Sequence, residues 1–215
     1  MTTAKQRLAE IGRRRAAGET IGVTSVCSAH PLVIEAALRH GQRRSADVLI
    51  EATCNQVNQD GGYTGMTPAD FRAFVETIAR NVGFDPSRLI LGGDHLGPNP
   101  WKHLPAEDAL SKALTMIEGF AAAGFTKLHL DTSMGCRGES VALADAVTAE
   151  RAVRLAERAE ATVAASGGAA PEEALRFANA AGARAVAKKG PMEGASNRAE
   201  LEAWMRSAEV RSEAA

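Results

Sequence analysis

The residues of this chain best suited to catalysis are an adjacent aspartate and histidine, Asp94 and His95, which follow the apolar stretch 88–93. A carboxylate beside an imidazole supplies a proton acceptor and a metal ligand at the same point of the chain. Neutral histidine is a common ligand of zinc-like metals, so His95 is the candidate metal ligand and Asp94 the candidate acid–base residue. The structural alternative is a polar turn in which Asp94 accepts hydrogen bonds from backbone N–H groups. Spacing alone leaves both interpretations open.

Two further carboxylates, Glu51 and Asp131, end apolar stretches in the same way. Side chains alternate between the two faces of a strand, so positions 51, 94 and 131 can all project from one face near the C-terminal strand ends. Barrel enzymes and open α/β sheets both place their sites there. We therefore treat both carboxylates as candidate catalytic residues, with a turn-capping role as the alternative for Asp131. Glu51 would need a partner if it is buried.

Polar residues in the following loops are candidates for binding a substrate, namely Asn55, Gln56 and Ser133. The glycine-rich loop 54–66 could offer N–H groups to an anion, but it matches neither a Walker loop nor a dinucleotide fingerprint. A mobile loop over the strand ends is the plainer interpretation. His129 lies within a strand, where a hydrogen-bonded core histidine is expected. Cys27 and Cys54, which follow adjacent strands, are expected to be small buried residues.

Four strand–helix units carry these residues. The predicted strands, which are apolar and β-branched, cover residues 21–27, 47–52, 88–93 and 126–131. The predicted helices cover 4–17 and then begin at Pro31, at Thr67-Pro68, near Pro105 and at about Thr148. A helix stop at Gly41 and a capping box of Thr67 with Asp70 are also predicted. Strands separated by helices of this length pair in parallel, because parallel neighbours need a long crossover.

Two architectures fit this order, a (β/α)₈ barrel and a doubly wound open sheet. A whole barrel needs about 250 residues, so four units by about residue 160 correspond to half of one. The predicted organisation is therefore the N-terminal half of a TIM-barrel-like fold over 1–160 and a divergent, mostly helical, alanine-rich tail over 161–215. The tail elements expected are a helix at 171–181, a weak strand at 183–187 and a helix at about 199–210.

Composition limits the class of partner and the compartment. The chain has 215 residues, a formal net charge of −1 and 45% hydrophobic residues, which is typical of a globular protein. A near-neutral charge lacks the basic face that nucleic acid requires, and no apolar stretch reaches the ~20 residues of a membrane span. The three cysteines form no metal or disulfide pattern, and the N-terminus has no secretory signal. We therefore expect a cytoplasmic protein.

Four long stretches closely resemble the Z-type subunit of class II D-tagatose-1,6-bisphosphate aldolase. They are VCSAHPLVIEAALRH (26–40), LIEATCNQVNQDGGYTGMTPADFRAFV (49–75), LILGGDHLGPNPW (89–101) and AGFTKLHLDTSM (123–134). The resemblance covers roughly residues 5–160, and matched strings of this length are far more specific than an isolated motif. It implies a TIM-barrel-like fold and a role in galactitol or N-acetylgalactosamine catabolism.

The resemblance also implies a partner and a metal. The Z-type subunit is regarded as non-catalytic and supports the activity and stability of a separate catalytic subunit, which uses zinc to cleave tagatose bisphosphate. Relatives have been linked to metal-dependent 4-epimerisation of ketose phosphates by retro-aldol chemistry. Asp94 and His95 resemble the Asp-His pair of catalytic class II aldolases, in which the histidine binds zinc and the aspartate does acid–base work. A tagatose-6-phosphate kinase label, also used for the family, gains no support from the loops here.

Members of that family are about twice as long as this chain, and the resemblance fades near residue 160. We therefore expect an incomplete member that is weakly stable alone and prone to self-association. Three functions follow as alternatives. The first is an accessory aldolase subunit. The second is a metal-dependent ketose-phosphate epimerase or aldolase, with Zn²⁺ or another divalent metal and with the residues Glu51, Asp94, His95 and Asp131. The third is an inactive fragment.

Overall fold

A computed structural model describes residues 4–166 as an α/β structure with one parallel sheet. The strands, in the spatial order β1-β2-β3-β4, are β1 Ser25–Cys27, β2 Val48–Thr53, β3 Leu89–Leu96 and β4 Lys127–Leu130. The helices are α1 Ala4–Ala16, α2 Pro31–Arg44, α3 Pro68–Asn81, α4 Ala106–Ala122 and α5 Asp145–Ala165. Short 3₁₀ turns cover Gly62–Thr64, Pro86–Arg88 and Asn99–Trp101. The predicted strand–helix units are confirmed.

The described sheet is open, and the last described helix continues past the predicted domain boundary. Within residues 4–166 the sheet is open, with β1 and β4 at its two edges, so closure into a barrel stays a prediction. The last described helix, α5, continues to Ala165, past the boundary predicted at residue 160. The elements predicted at 171–181, 183–187 and 199–210 lie outside the described residues.

The two faces of the sheet follow the alternation of side chains along each strand. On the outer face, which the helices α2 to α5 cover, Ile50 and Leu91 join the main core with aromatic residues such as Phe71 and Phe120. On the inner face, Leu49 and Ile90 form a small separate cluster with Leu8 of α1 and with Val23. Replacing a phenylalanine in such a core by alanine costs about 3–5 kcal/mol. The outer face is thus the stabilising one, and the inner face is left to carry polar groups.

Helix ends show one prediction confirmed and one wrong. The capping box at the start of α3 is present, with Thr67 accepting from the backbone of Asp70 and Asp70 accepting from that of Thr67. Helix α2, however, does not stop at Gly41. It continues to Arg44, and Ser45 closes it with a φ of 50°. A Cβ at position 41 would overlap the side chain of Val48, so the glycine permits a close contact between α2 and β2.

No helix between residues 4 and 166 has the length and apolar character to cross a bilayer.

Strand β3 is longer than the predicted 88–93 and passes through the Asp-His pair to Leu96. The pairing of β3 with β4 changes register between Gly93 and Leu96, and His95 has a φ of 49°. This irregularity in the pairing resembles a β-bulge, a feature that redirects side chains near functional sites. A histidine in the left-handed region is uncommon, so the surrounding contacts must hold it there.

Candidate functional site

Two aspartates and two histidines meet where β3 and β4 end. The Nδ1 atom of His129 lies 2.6 Å from Oδ1 of Asp94, and the Nδ1 atom of His95 lies 3.0 Å from Oδ2 of Asp131. The two imidazole rings are 4.8 Å apart between centroids. The bulge creates this arrangement, because it turns His95 toward the end of β4 instead of leaving it to alternate along β3.

These contacts fix the protonation of each imidazole. An ionised carboxylate only accepts hydrogen bonds, so the Nδ1 atoms of His95 and His129 must be the protonated donors. The backbone N–H of His95 also approaches Nδ1 of His129, at 3.5 Å, but that longer contact cannot compete with the carboxylate at 2.6 Å. With that proton on Nδ1, the neutral form of each histidine has its lone pair on Nε2, which is the atom that could bind a ligand.

Both aspartates are held in their ionised form. Burial raises the pKa of Asp94, but the hydrogen bond from His129 and the charge of His95 outweigh it, and the net pKa lies below the ordinary value. Burial likewise opposes ionisation of Asp131, whose pKa is nevertheless lowered by hydrogen bonds from His95 and Ser133. Charge-assisted hydrogen bonds of this kind are roughly twice as strong as neutral ones. Asp94 is thus an ionised carboxylate that can accept hydrogen bonds or bind a cation.

Glu51 has the partner that its burial demands. Its side chain is 2% exposed and pairs with the ammonium group of Lys127, which projects from β4 on the same inner face. The Nζ atom of Lys127 is also 3.9 Å from Oδ1 of Asp94, so one cation links the two carboxylates. Gly92 lies between them in β3, where a Cβ would come within 2.5 Å of Oε1 of Glu51. A glycine at this point of the strand is what leaves room for the pair.

Two residues differ from their sequence-based predictions. His129 is hydrogen-bonded as expected, but its side chain is 45% exposed, so the expectation of a core histidine was wrong. Cys27 is exposed rather than buried, with Sγ 3.5 Å from Oδ2 of Asp94. Burial of its sulfur and the charge of Asp94 raise the pKa of this thiol to about 12, so it is a neutral donor to the aspartate. Cys54 is buried, as predicted.

The predicted substrate-binding residues surround the cluster without a common geometry. Asn55 is exposed in the loop after β2, whereas the side-chain oxygen of Gln56 accepts a hydrogen bond from the backbone N–H of Thr53 at 2.8 Å. The hydroxyl of Ser133 donates to Oδ1 of Asp131 at 2.7 Å, so the turn-capping role and the site role of Asp131 coexist. A role for Asn55, Gln56 and Ser133 in binding substrate stays a prediction.

The glycine-rich loop after β2 is tied down by its own side chains. Asn58 is 4% exposed, donates to the backbone oxygen of Cys54 at 2.8 Å and accepts from the N–H groups of Asp60 and Gly62. Asp60 in turn accepts from the indole N–H of Trp101 at 3.0 Å. These contacts argue for an ordered loop, not the mobile one that its glycines suggested.

The donor set fits a divalent metal. Asp94, His95 and His129 each offer one ligand atom, and these atoms lie within 4.8 Å of one another. Imidazole nitrogens with a carboxylate oxygen are a common set for zinc, iron or manganese. The hydrogen bond from His95 to Asp131 is the outer contact that usually orients a metal-binding histidine. The sequence pointed to Asp94 and His95. It missed His129 as a candidate ligand, although the spacing of Lys127, His129 and Asp131 at every second position was a signal that they share one face.

Parallel strands flanked by helices, with ionised acids and a metal-capable donor set at their C-terminal ends, define an α/β protein with a site of the kind found in barrel enzymes. The family model of the D-tagatose-1,6-bisphosphate aldolase subunit GatZ/KbaZ-like proteins matches residues 8–174. The chain belongs to this family. The match extends past residue 160, where the resemblance of the sequence was expected to fade.

Individual relatives differ in their described activities. The chain is 60% identical over 153 residues to the D-tagatose-1,6-bisphosphate aldolase subunit GatZ of Klebsiella pneumoniae subsp. pneumoniae. It is 56% identical over 153 residues to the D-tagatose 6-phosphate 4-epimerase of Agrobacterium fabrum. Each match covers 71% of this chain but 36% of the relative, so the chain spans about a third of the length of these proteins.

A solved structure supports the fold. The crystal structure of a probable tagatose 6 phosphate kinase from Sinorhizobium meliloti 1021 superposes with a TM-score of 0.65 and is 66% identical in sequence. The match covers 66% of this chain and 37% of that protein. At this level of sequence identity, the two proteins share their strand–helix order because they are related.

Proposed function

We propose that this chain acts as a Z-type subunit of class II tagatose-1,6-bisphosphate aldolase, in the catabolism of galactitol or N-acetylgalactosamine in the cytoplasm. Its role is accessory: it binds a separate catalytic subunit and supports the activity and stability of that subunit. The observation that carries the proposal is membership of the family, together with 60% identity to a relative described as such a subunit.

Co-purification with a catalytic class II tagatose-bisphosphate aldolase subunit tests this role. We expect a tagged form of the 215-residue chain to retain the catalytic subunit and to slow its loss of aldolase activity on storage or heating. The Asp94→Asn variant should do the same, because an accessory role depends on the surface of the protein and not on its acid–base residue. Failure of the wild-type chain both to bind the catalytic subunit and to preserve its activity would refute the accessory role.

A second candidate, a metal-dependent ketose-phosphate 4-epimerase, is favoured by a different observation. The cluster of Asp94, His95 and His129 offers a metal-capable donor set, and a relative at 56% identity is described as an epimerase. Zn²⁺ or another divalent metal, when bound, would polarise the ketone oxygen of the sugar phosphate. Within that donor set, His95 and His129 would hold the metal, Asp131 orients His95, and Asp94 would be left for acid–base chemistry.

If the chain is an epimerase, Asp94 is the residue that would transfer protons. Its low pKa keeps it ionised at neutral pH, and His129 fixes its orientation. An ionised, oriented carboxylate can take the proton of the hydroxyl on C4 as the bond between C3 and C4 breaks and its electron pair moves toward the ketone. It can return the proton once that bond has re-formed on the other face. On the inner face of the sheet, Lys127 pairs with Glu51 and lies near Asp94, which positions the Asp94 carboxylate.

Metal affinity tests the donor set independently of any activity. We expect the wild-type chain to bind Zn²⁺ or Mn²⁺ in calorimetric titrations, and His95→Ala or His129→Ala to weaken binding at least about ten-fold, which is the loss that even an outer-shell partner causes. His40→Ala, at an exposed position of α2, is the matched control and should bind as the wild type does. Equal affinity in all three variants would show that the cluster is not the metal site.

The same proteins then separate the two candidate functions. Tagatose 6-phosphate and fructose 6-phosphate interconversion, measured with and without the bound metal, should be absent for an accessory subunit and present for an epimerase. Turnover that requires metal and disappears in Asp94→Asn would favour the epimerase. An aldolase partner that is stabilised by a chain unable to bind metal would favour the accessory role.

A further inference from the structure

An open cavity with an apolar surface and charged side chains lies at the same end of the sheet, between the loop after β3 and the loop after β4. Its volume is about 460 Å³, within the range of pockets that hold small ligands. Three of the side chains that line it can carry positive charge, namely Lys102, His103 and Arg137. None of them takes part in the metal-capable cluster described above.

Within residues 4–166, the two permanent cations of this pocket, Lys102 and Arg137, have no carboxylate oxygen within 4.0 Å, unlike the buried Arg151 nearby, which pairs with Glu139. Both side chains are exposed at the wall of the cavity. Two unneutralised cations that face one cavity create a local positive potential, which attracts an anion.

The one carboxylate that lines the cavity is already neutralised. Both oxygens of Glu139 accept from Arg151, at 2.5 and 3.1 Å, and Oε2 also accepts from the backbone N–H of Cys136 at 2.8 Å. The hydrogen bonds from Arg151 and from Cys136 lower the pKa of Glu139. Arg151 is only 7% exposed, so this pair is structural and does not compete with a ligand for Lys102 or Arg137.

The walls of the cavity are ordered by backbone contacts. The N–H of Arg137 donates to the backbone oxygen of Leu104 at 3.0 Å, which joins the two loops directly beside both cations. In the second loop, the N–H of Gly135 donates to the oxygen of Val141 at 3.1 Å, and Met134 pairs with Ala142. The cations are thus presented from connected backbone segments, and the side chains of Met134 and Val141 supply apolar surface at the rim.

We propose that this cavity binds the phosphate group of a phosphorylated small molecule, with Lys102 and Arg137 as its ligands. Arginine offers a planar pair of N–H donors that matches phosphate oxygens, and lysine adds a point charge. The apolar rim suits the carbon skeleton of the same molecule. That the molecule is a sugar phosphate rests on the proposed function, whereas binding of the phosphate group does not.

Binding titrations with inorganic phosphate, tagatose 6-phosphate and unphosphorylated tagatose test the pocket in the full 215-residue chain. We expect both phosphates to bind and tagatose not to. Lys102→Gln with Arg137→Gln should weaken the binding about ten- to one-hundred-fold, since a hydrogen bond to a charged group contributes about 1.5–3 kcal/mol. The matched control is Arg43→Gln with Arg44→Gln, which removes the same charge from an exposed part of α2.

The outcomes separate the pocket from the proposed function. Phosphate affinity that is unchanged in the pocket variant, or that falls equally in the control variant, would overturn the proposal. The single variant Arg137→Lys keeps the charge but removes the paired donors, so a partial loss there supports the assigned geometry. A loss specific to the pocket variant, with tagatose 6-phosphate bound no more tightly than inorganic phosphate, would keep the phosphate pocket and remove its assignment to a tagatose phosphate.

Discussion

The Gly97→Ala variant is expected to lose about 3 kcal/mol or more of its free energy of unfolding, because overpacking at a closed contact is added to a broken backbone hydrogen bond. A Cβ at position 97 would overlap the backbone oxygen of Asp131 and lie 2.8 Å from its carbonyl carbon. The contact is between two backbones, so no side-chain rotation can relieve it. The N–H of Asp131 donates to the oxygen of Leu96 at 2.9 Å, and this bond is next to the clash.

The same substitution should also weaken metal binding. Asp131 orients His95, so separating the end of β4 from the end of β3 disturbs the donor set as well as the fold. Urea unfolding followed by tryptophan fluorescence gives the stability, and calorimetric titration gives the metal affinity. The matched control is Gly22→Ala, where a Cβ meets no atom within 4 Å and the change should be neutral or stabilise by up to about 1 kcal/mol. Equal stability of the two variants would contradict the close approach of β3 and β4.

Local sequence patterns predicted the elements and which side chains share a face. Alternation placed Glu51, Asp94 and Asp131 on one face near the strand ends, and the structure brings Glu51 and Asp94 to Lys127, and Asp131 to His95. Caps and apolar spacing predicted the helices, because both signals are local in the chain. The strand ends were less predictable. The third strand was predicted to end at residue 93, whereas β3 continues to Leu96, and Gly92 within it permits a close contact with Glu51.

Exposure of the site residues was not predictable from such patterns. The expectation of a buried His129 and a buried Cys27 relied on their strand neighbours, but burial depends on what covers the inner face of the sheet. Helix α1 covers Leu49 and Ile90 through Leu8, and the strand ends beyond them remain open among the described residues. That coverage joins residues about 40 and 80 positions apart in sequence, which a local pattern does not encode. The hydrogen bond between His95 and Asp131 likewise depends on a φ of 49° at His95, a backbone conformation that the residue type does not predict.

The second large effect is expected for Lys127→Met, which should destabilise the protein by about 3 kcal/mol because it leaves a buried carboxylate without its cation. Glu51 is 1% exposed, and Lys127 supplies its ion pair. The side chain of Lys127 is 30% exposed, so solvent screens part of the interaction and the lower end of the 3–5 kcal/mol range applies. Methionine keeps the volume of the lysine stem, which confines the change to the charge.

Two further variants identify the cause of that loss. Lys112→Met removes a lysine from an exposed pair with Asp60 and from the face of Trp101, and it should cost less than about 1 kcal/mol. Combining Lys127→Met with Glu51→Leu removes both charges, and the double variant should recover much of the stability, because a buried ion pair is often replaceable by apolar residues of similar size. A double variant less stable than Lys127→Met alone would show that Glu51 is held by contacts other than Lys127.

Recovery of stability in the double variant would mean that the ion pair of Glu51 and Lys127 is kept for the site. Lys127 also faces Asp94, and an apolar pair could not hold that carboxylate in place. Recovered stability with lost metal binding would therefore assign the Glu51–Lys127 pair to function and not to folding.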